Sequence, residues 1–119
     1  MAVTVEKISA VTFRVRNMKE SVRFYREILG MELLDGGENA CFSTLRPKDT
    51  QSTVLNLEQG RSVADWGRLI FHVPDVDVFW AHLKALGFDP ERPRDASWGE
   101  RYFHMPDPDG HELSFACPI

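Results

Sequence analysis

An α+β fold of two tandem β-α-β-β-β modules is predicted by three observations. First, the chain repeats itself: Phe13-Arg14-Val15-Arg16-Asn17-Met18 aligns with Phe71-His72-Val73-Pro74-Asp75-Val76 at an offset of 58 residues. Second, each copy runs from alternating strand residues into a helix with an Asn or Asp N-cap and a terminal glycine. Third, Asp107-Pro108-Asp109-Gly110 is turn chemistry followed by an alternating strand.

The elements follow in order. Val11, Phe13 and Val15 alternate with Ala10, Thr12 and Arg14, giving a strand with one apolar and one polar face. Asn17 then caps a helix over about Met18–Leu29, with Glu20 placed for a capping box and Met18, Val22, Tyr25 and Leu29 on one stripe. Gly30 ends it, and strands follow at Met31–Leu34, Cys41–Leu45 and Thr53–Leu57. A polar linker, Gln59–Asp65, leads to the second copy. There Leu69, Phe71 and Val73 face the helix, while Arg68, Ile70 and His72 take the open face. The second helix, about Val76–Leu86, carries Val76, Phe79, Leu83 and Leu86 and stops at Gly87. Strands at Phe88-Asp89, Arg101–Met105 and Glu112–Ala116 complete the module. Residues 1–119 therefore read as a single domain, with module one at about 5–58 and module two at about 66–117. Each open face either lines a ligand cleft or is simply solvated.

Composition narrows the function classes. Of 119 residues, 43% are hydrophobic and 27% charged, ordinary for a globular chain and wrong for a disordered one. Fourteen basic against 18 acidic side chains give a net charge of −4, with no basic face for nucleic acid. The start, Met-Ala-Val-Thr-Val-Glu-Lys, lacks a signal-peptide pattern, and no apolar run is long enough for a membrane span. A cytoplasmic protein is expected, with Cys41 and Cys117 reduced.

With these features in hand, the sequence resembles the vicinal oxygen chelate superfamily of glyoxalases, extradiol dioxygenases, and bleomycin and fosfomycin resistance proteins. The resemblance rests on Val15-Arg16-Asn17-Met18, Ser21-Val22-Arg23-Phe24-Tyr25 and Leu29-Gly30, then Phe71–Val76, then the Asp107–Gly110 turn with its strand. It implies paired curved mixed sheets around a cavity, a divalent metal held by His, Gln or Glu, and a homodimer, as short members commonly pair modules between chains. The ligand positions carry over onto Ala10, Asn56, Arg68 and Ser114. None is a good ligand: alanine has no donor atom, arginine is a permanent cation, and the other two are weak neutral oxygens. No metal and no cofactor are therefore expected. A relocated set of His72, His104 and Glu112 also fails. If Arg68 lies beside Ser114, Glu112 is level with residue 66 and about 20 Å of strand separates it from His72.

Without metal, Arg68 becomes the centre of interest, because a guanidinium grips a carboxylate, phosphate or enolate oxygen unaided. The expected site groups Arg68 with Ser114, Asn56, His104, Tyr102 and Glu112, with Ile70, Trp66 and Trp98 as apolar walls. The alternative role for Arg68 is an internal ion pair with Glu112. His104 is either a general base or a hydrogen-bonded wall residue. His72 reads as rim, His82 as surface and His111 as structural. Glu91–Glu100 is either a flap or a surface loop. Two functions follow: a protein that binds a small anionic or carbonyl-bearing molecule, or an enzyme of lyase, isomerase or dioxygenase type. The enzyme would work metal-free through Arg68 and His104, or with a divalent metal at a site not recognised in the sequence.

Overall fold

The computed structural model describes residues 8–48, 53–61 and 66–119. The chain divides into two compact units, Met1–Val63 and Ala64–Ile119. The first holds β1 (Ala10–Val15), α1 (Met18–Arg23), a π-helical turn (Phe24–Ile28), β2 (Glu32–Asp35), β3 (Phe42–Arg46) and β4 (Val54–Gln59). The second holds β5 (Arg68–His72), α2 (Val76–Ala85), β6 (Arg94–Asp95), β7 (Glu100–Pro106) and β8 (Glu112–Pro118). Both sheets share one mixed topology, ordered β1-β4-β3-β2 and β5-β8-β7-β6. In each, the first and last strands run parallel and the rest antiparallel. The α+β architecture of two β-α-β-β-β modules is therefore present.

Alternation assigns the faces correctly. Phe13, Val15, Leu55 and Leu57 are buried with Met18, Val22 and Tyr25 of the first helix. In the second unit Phe115 stacks against Phe71, Phe79 and Phe103 at centroid distances of 5.7, 5.1 and 5.0 Å. Ala10, Thr12, Arg14, Arg68, Ile70 and His72 are all exposed. Both N-caps form: Asn17 Oδ1 accepts from the Glu20 N–H at 3.0 Å, and Asp75 Oδ1 from the Val78 N–H at 3.1 Å. Asp107 Oδ1 closes the Asp-Pro-Asp-Gly turn by accepting from the N–H groups of Asp109 and His111, while Gly110 takes a φ of +87°.

Three elements depart from expectation. The first helix is α-helical only to Arg23, and the Leu29 N–H then bonds the Phe24 carbonyl, five residues back, at 3.0 Å. Its wider turn buries the neighbours Phe24 and Tyr25 together, edge to face at 5.1 Å, which successive α-helical positions 100° apart do not favour. The strand expected at Phe88-Asp89 does not form; the edge strand is Arg94–Asp95 instead. Phe88 donates its N–H to the Leu83 carbonyl and so still belongs to the helix terminus. Glu91–Glu100, expected as either a flap or a surface loop, is mostly exposed and irregular outside the two-residue β6, and is tied down where Glu91 N–H donates to the His104 carbonyl and Ala96 N–H to the Glu100 carbonyl. The proposed linker begins later than expected, since Gln59 closes β4; its residues 62–65, like residues 5–7 of module one, lie outside the described residues.

Candidate functional site

The open face of the second sheet is a grid whose rows are set by strand register. Across the first row Arg68 of β5 is level with Glu112 of β8. Across the second, Ile70, Ser114 and His104 are level, and across the third, His72, Ala116, Tyr102 and Arg94. The opposite parity of the same strands serves the helix. There Arg101 holds both carboxylate oxygens of Asp77 on α2 at 3.1 Å and Asp95 on β6 at 3.0 Å.

This register corrects one expectation. Arg68 is level with Glu112, not Ser114, and Ser114 lies beside Ile70. Positions that face one site from two parallel strands need not be level, and the repeat offset relates modules rather than paired strands. The correction shortens the path from His72 to Glu112 to four residues, about 13 Å of strand, still too far for one metal ion.

Short and tall side chains alternate across the face. Ser114 and Ala116 on the central strand are 3% and 5% exposed, whereas Ile70 on β5 is 65% and Trp98, just before β7, 69% exposed. Trp98 is held in place nonetheless: its indole N–H donates to Glu100 at 2.8 Å and its ring stacks on Tyr102 at 6.0 Å. Tyr102 in turn lies 5.1 Å from the His104 ring and beneath the Arg94 guanidinium at 5.3 Å. Trp66, expected as a wall, is tied to the turn, its N–H donating to Nδ1 of the buried His111 at 3.3 Å.

His104 and Ser114 form the tightest polar contact of the face, Nδ1 to Oγ at 2.6 Å, as their hairpin pairing predicts. Partial burial, reinforced by the positive field of Arg68, holds the imidazole below its ordinary pKa of 6.5. The ring is therefore neutral at pH 7. Arg68 meets Glu112 through Nη2 alone, at 3.1 Å, with side chains 38% and 46% exposed. The ion pair foreseen as the alternative role of Arg68 thus exists, but it engages one nitrogen of three.

The donor set does not fit the divalent metal implied by the resemblance. Ala10 offers nothing, and Arg68 is a cation. The Asn56 amide is engaged at both ends, accepting from the Thr44 hydroxyl at 2.8 Å and donating to Thr12 at 3.4 Å. Ser114 Oγ is bound to His104. Among the described residues no three His, Cys, Asp or Glu side chains are grouped to hold an ion. Asn56 lies in the first unit, on the open face of its own sheet in a row with Thr12 and Thr44.

Arg94 was missed in the sequence. Its strand is two residues long, too short for a periodicity, and the only signal was the Glu91-Arg92-Pro93-Arg94 run itself.

Comparison with known proteins agrees with this architecture. A family model described as Glyoxalase/Bleomycin resistance protein/Dioxygenase superfamily matches residues 7–115. An integron cassette protein from the mobile metagenome of a Halifax Harbour sewage outfall superposes with a TM-score of 0.81 at 22% identity, covering 95% of this chain and 99% of that one. Lactoylglutathione lyase from Agrobacterium tumefaciens gives 0.77 at 16% identity, covering 95% and 94%. Fosfomycin resistance protein FosX from Mesorhizobium loti gives 0.76 at 18% identity, covering 98% and 95%. At these identities the likeness is one of fold. No curated protein matches the chain.

Proposed function

Since the chain belongs to the Glyoxalase/Bleomycin resistance protein/Dioxygenase superfamily, we propose that it is a metal-independent member that binds a small anionic or carbonyl-bearing molecule on the open face of its second sheet. The observation carrying this reading is Arg68. The resemblance would place it at a family ligand position; it stands on the open face and leaves Nε and Nη1 unengaged among the described residues. A guanidinium can take a carboxylate through two parallel N–H bonds, supplying the charge that a metal supplies elsewhere. His104 and Ser114 offer further polar contacts one strand step away, and Ile70 and Tyr102 offer apolar area.

The experiment is a thermal-shift screen of small carboxylates, phosphates and 2-oxoacids in the presence of EDTA, followed by calorimetry on the hits. Anion binding that survives the chelator and is lost in Arg68→Ala supports the reading. Binding that requires added metal ends it.

A second reading is favoured by the His104–Ser114 contact. In the tautomer where Nδ1–H donates to Ser114 Oγ, Nε2 is an unprotonated base at pH 7. It would take a proton from the carbon beside a carbonyl while Arg68 holds the enolate oxygen, then return it in an isomerisation. Incorporation of deuterium at that carbon in D2O, absent in His104→Gln, distinguishes turnover from sequestration.

A further inference from the structure

Resting on the anion-binding reading above, we infer that the ligand is an elongated aromatic carboxylate, its ring system laid against Trp98 and Tyr102 and its carboxylate directed to Arg68. Trp98 is mostly solvent-exposed, yet it is oriented by both a hydrogen bond to Glu100 and a near-parallel stack (20°) on Tyr102. An exposed indole with its orientation already fixed loses little side-chain entropy when a flat partner arrives. Arg94 lies on the Tyr102 ring from the neighbouring edge strand, so the aromatic end also carries a cation. Its only ion-pair partner among the described residues is Glu91, three residues away at 3.3 Å, with both side chains well exposed.

Geometry sets the length of the ligand. Tyr102 on β7 is level with Ala116 and Arg68 on β5 with Glu112, so the two lie four residues apart along the strands and two strand spacings apart across the sheet, about 16 Å in all. With the Arg68 arm turned along the face to meet the carboxylate, a bicyclic acid would bridge the remaining span and a single small anion would not. Between the ends lies neutral His104, whose ring contacts Tyr102 and whose Nδ1 contacts Ser114. An uncharged imidazole there accepts an apolar ring above it more readily than an imidazolium does.

The probes are 2-naphthoate, its saturated counterpart decahydro-2-naphthoate, and uncharged 2-naphthalenemethanol, each titrated calorimetrically into the full chain. The aromatic acid is expected to bind five- to tenfold more tightly than the saturated acid, as an aromatic contact contributes beyond its buried area. Trp98→Leu should bring the two acids to within about twofold of each other. The side chain lies on the surface, so this variant should keep its fold, and an unchanged melting temperature checks that. Arg68→Ala should weaken both acids together.

Equal affinity for the two acids, or a ratio unchanged in Trp98→Leu, overturns the aromatic inference and leaves the anion reading standing. Binding of 2-naphthalenemethanol as tight as that of 2-naphthoate overturns the role of the carboxylate. Failure of both acids to bind, while short carboxylates or phosphates do, also overturns the inference alone; failure of every anion overturns the parent reading with it.

Discussion

Replacing Arg68 separates ligand recognition from stability, because the same side chain is asked to do very different amounts of each. The only hydrogen bond or ion pair of its side chain among the described residues is the single Nη2–Glu112 contact, between side chains more than a third exposed. An ion pair of that kind contributes at most about 1 kcal/mol. For a chain of this length, that corresponds to a fall in Tm of about 4 °C or less. The loss in binding should be larger. Removing charge-assisted hydrogen bonds to a carboxylate costs about 1.5–3 kcal/mol, which weakens Kd roughly 10- to 100-fold. Glu112→Gln makes the sharper test. If Glu112 competes with an incoming carboxylate for the same guanidinium, removing its charge should tighten anion binding about fivefold, from about 1 kcal/mol of relieved competition. If the pair is purely structural, the same change should lower Tm and leave Kd untouched. Scanning calorimetry and isothermal titration of 2-naphthoate on the wild type and both variants give the two axes. Arg68→Ala with undiminished affinity, or Glu112→Gln with weakened affinity, would refute the assignment of Arg68 as the anchor.

Further outcomes are expected. Dialysis against EDTA should leave both Tm and anion affinity unchanged, as measured before and after chelation, since the ligand positions offer no site for an ion. His104, whose pKa is lowered by burial and by Arg68 against the opposing pull of Glu91 and Glu112, should make stability depend on pH. With a folded pKa below 6.5, the unfolded chain binds the proton first as pH falls. The histidine's contribution is therefore complete above 6.5 and declines below it until the folded ring also protonates. Melting curves from pH 7.5 to 5.5 should show this decline in the wild type and not in His104→Gln. Gly36→Ala should destabilise by about 2 kcal/mol or more in chemical denaturation. Its backbone is left-handed at φ +80°, and an added Cβ would lie 2.2 Å from the Phe42 carbonyl oxygen. Gly30→Ala, at φ +77° with nothing within 4 Å, should carry only the conformational cost of about 1 kcal/mol.

Much of the fold was legible because its signals are local. Asn17 and Asp75 cap helices by bonding N–H groups three residues away, and the Asp107 turn closes on residues 109 and 111. Alternation in β1, β5 and β8 named the core faces for the same reason, as each strand's parity is fixed once one residue is buried. The failures lie where a local pattern met a packing demand it does not encode. The stripe of Met18, Val22, Tyr25 and Leu29 is a correct helical signal. Burying Phe24 beside Tyr25 needed a π turn, and nothing in the periodicity announces that extra residue. Likewise Phe88 has the composition of a strand residue, but its N–H is taken by the Leu83 carbonyl and the edge strand starts six residues later.

The site was legible by parity and misread by register, and that difference decides its chemistry. Parity placed Arg68, Ser114, His104, Tyr102 and Glu112 on one face, and all five are there. The hairpin rule joined His104 to Ser114, since antiparallel register is fixed by a short turn. The β5–β8 pair has no such turn; α2 and two strands intervene, so its stagger comes from packing over the whole module. A shift of two residues keeps every side chain on its face and so escapes any test by hydrophobic pattern. It nevertheless gives Arg68 a carboxylate neighbour in place of a hydroxyl. With Ser114 alongside, the guanidinium would face solvent without a counter-charge. With Glu112 alongside, it is held by one weak contact that leaves two of its nitrogens unengaged among the described residues. A ligand carboxylate must then displace or share an existing partner, so affinity depends on the charge at position 112 as well as on Arg68.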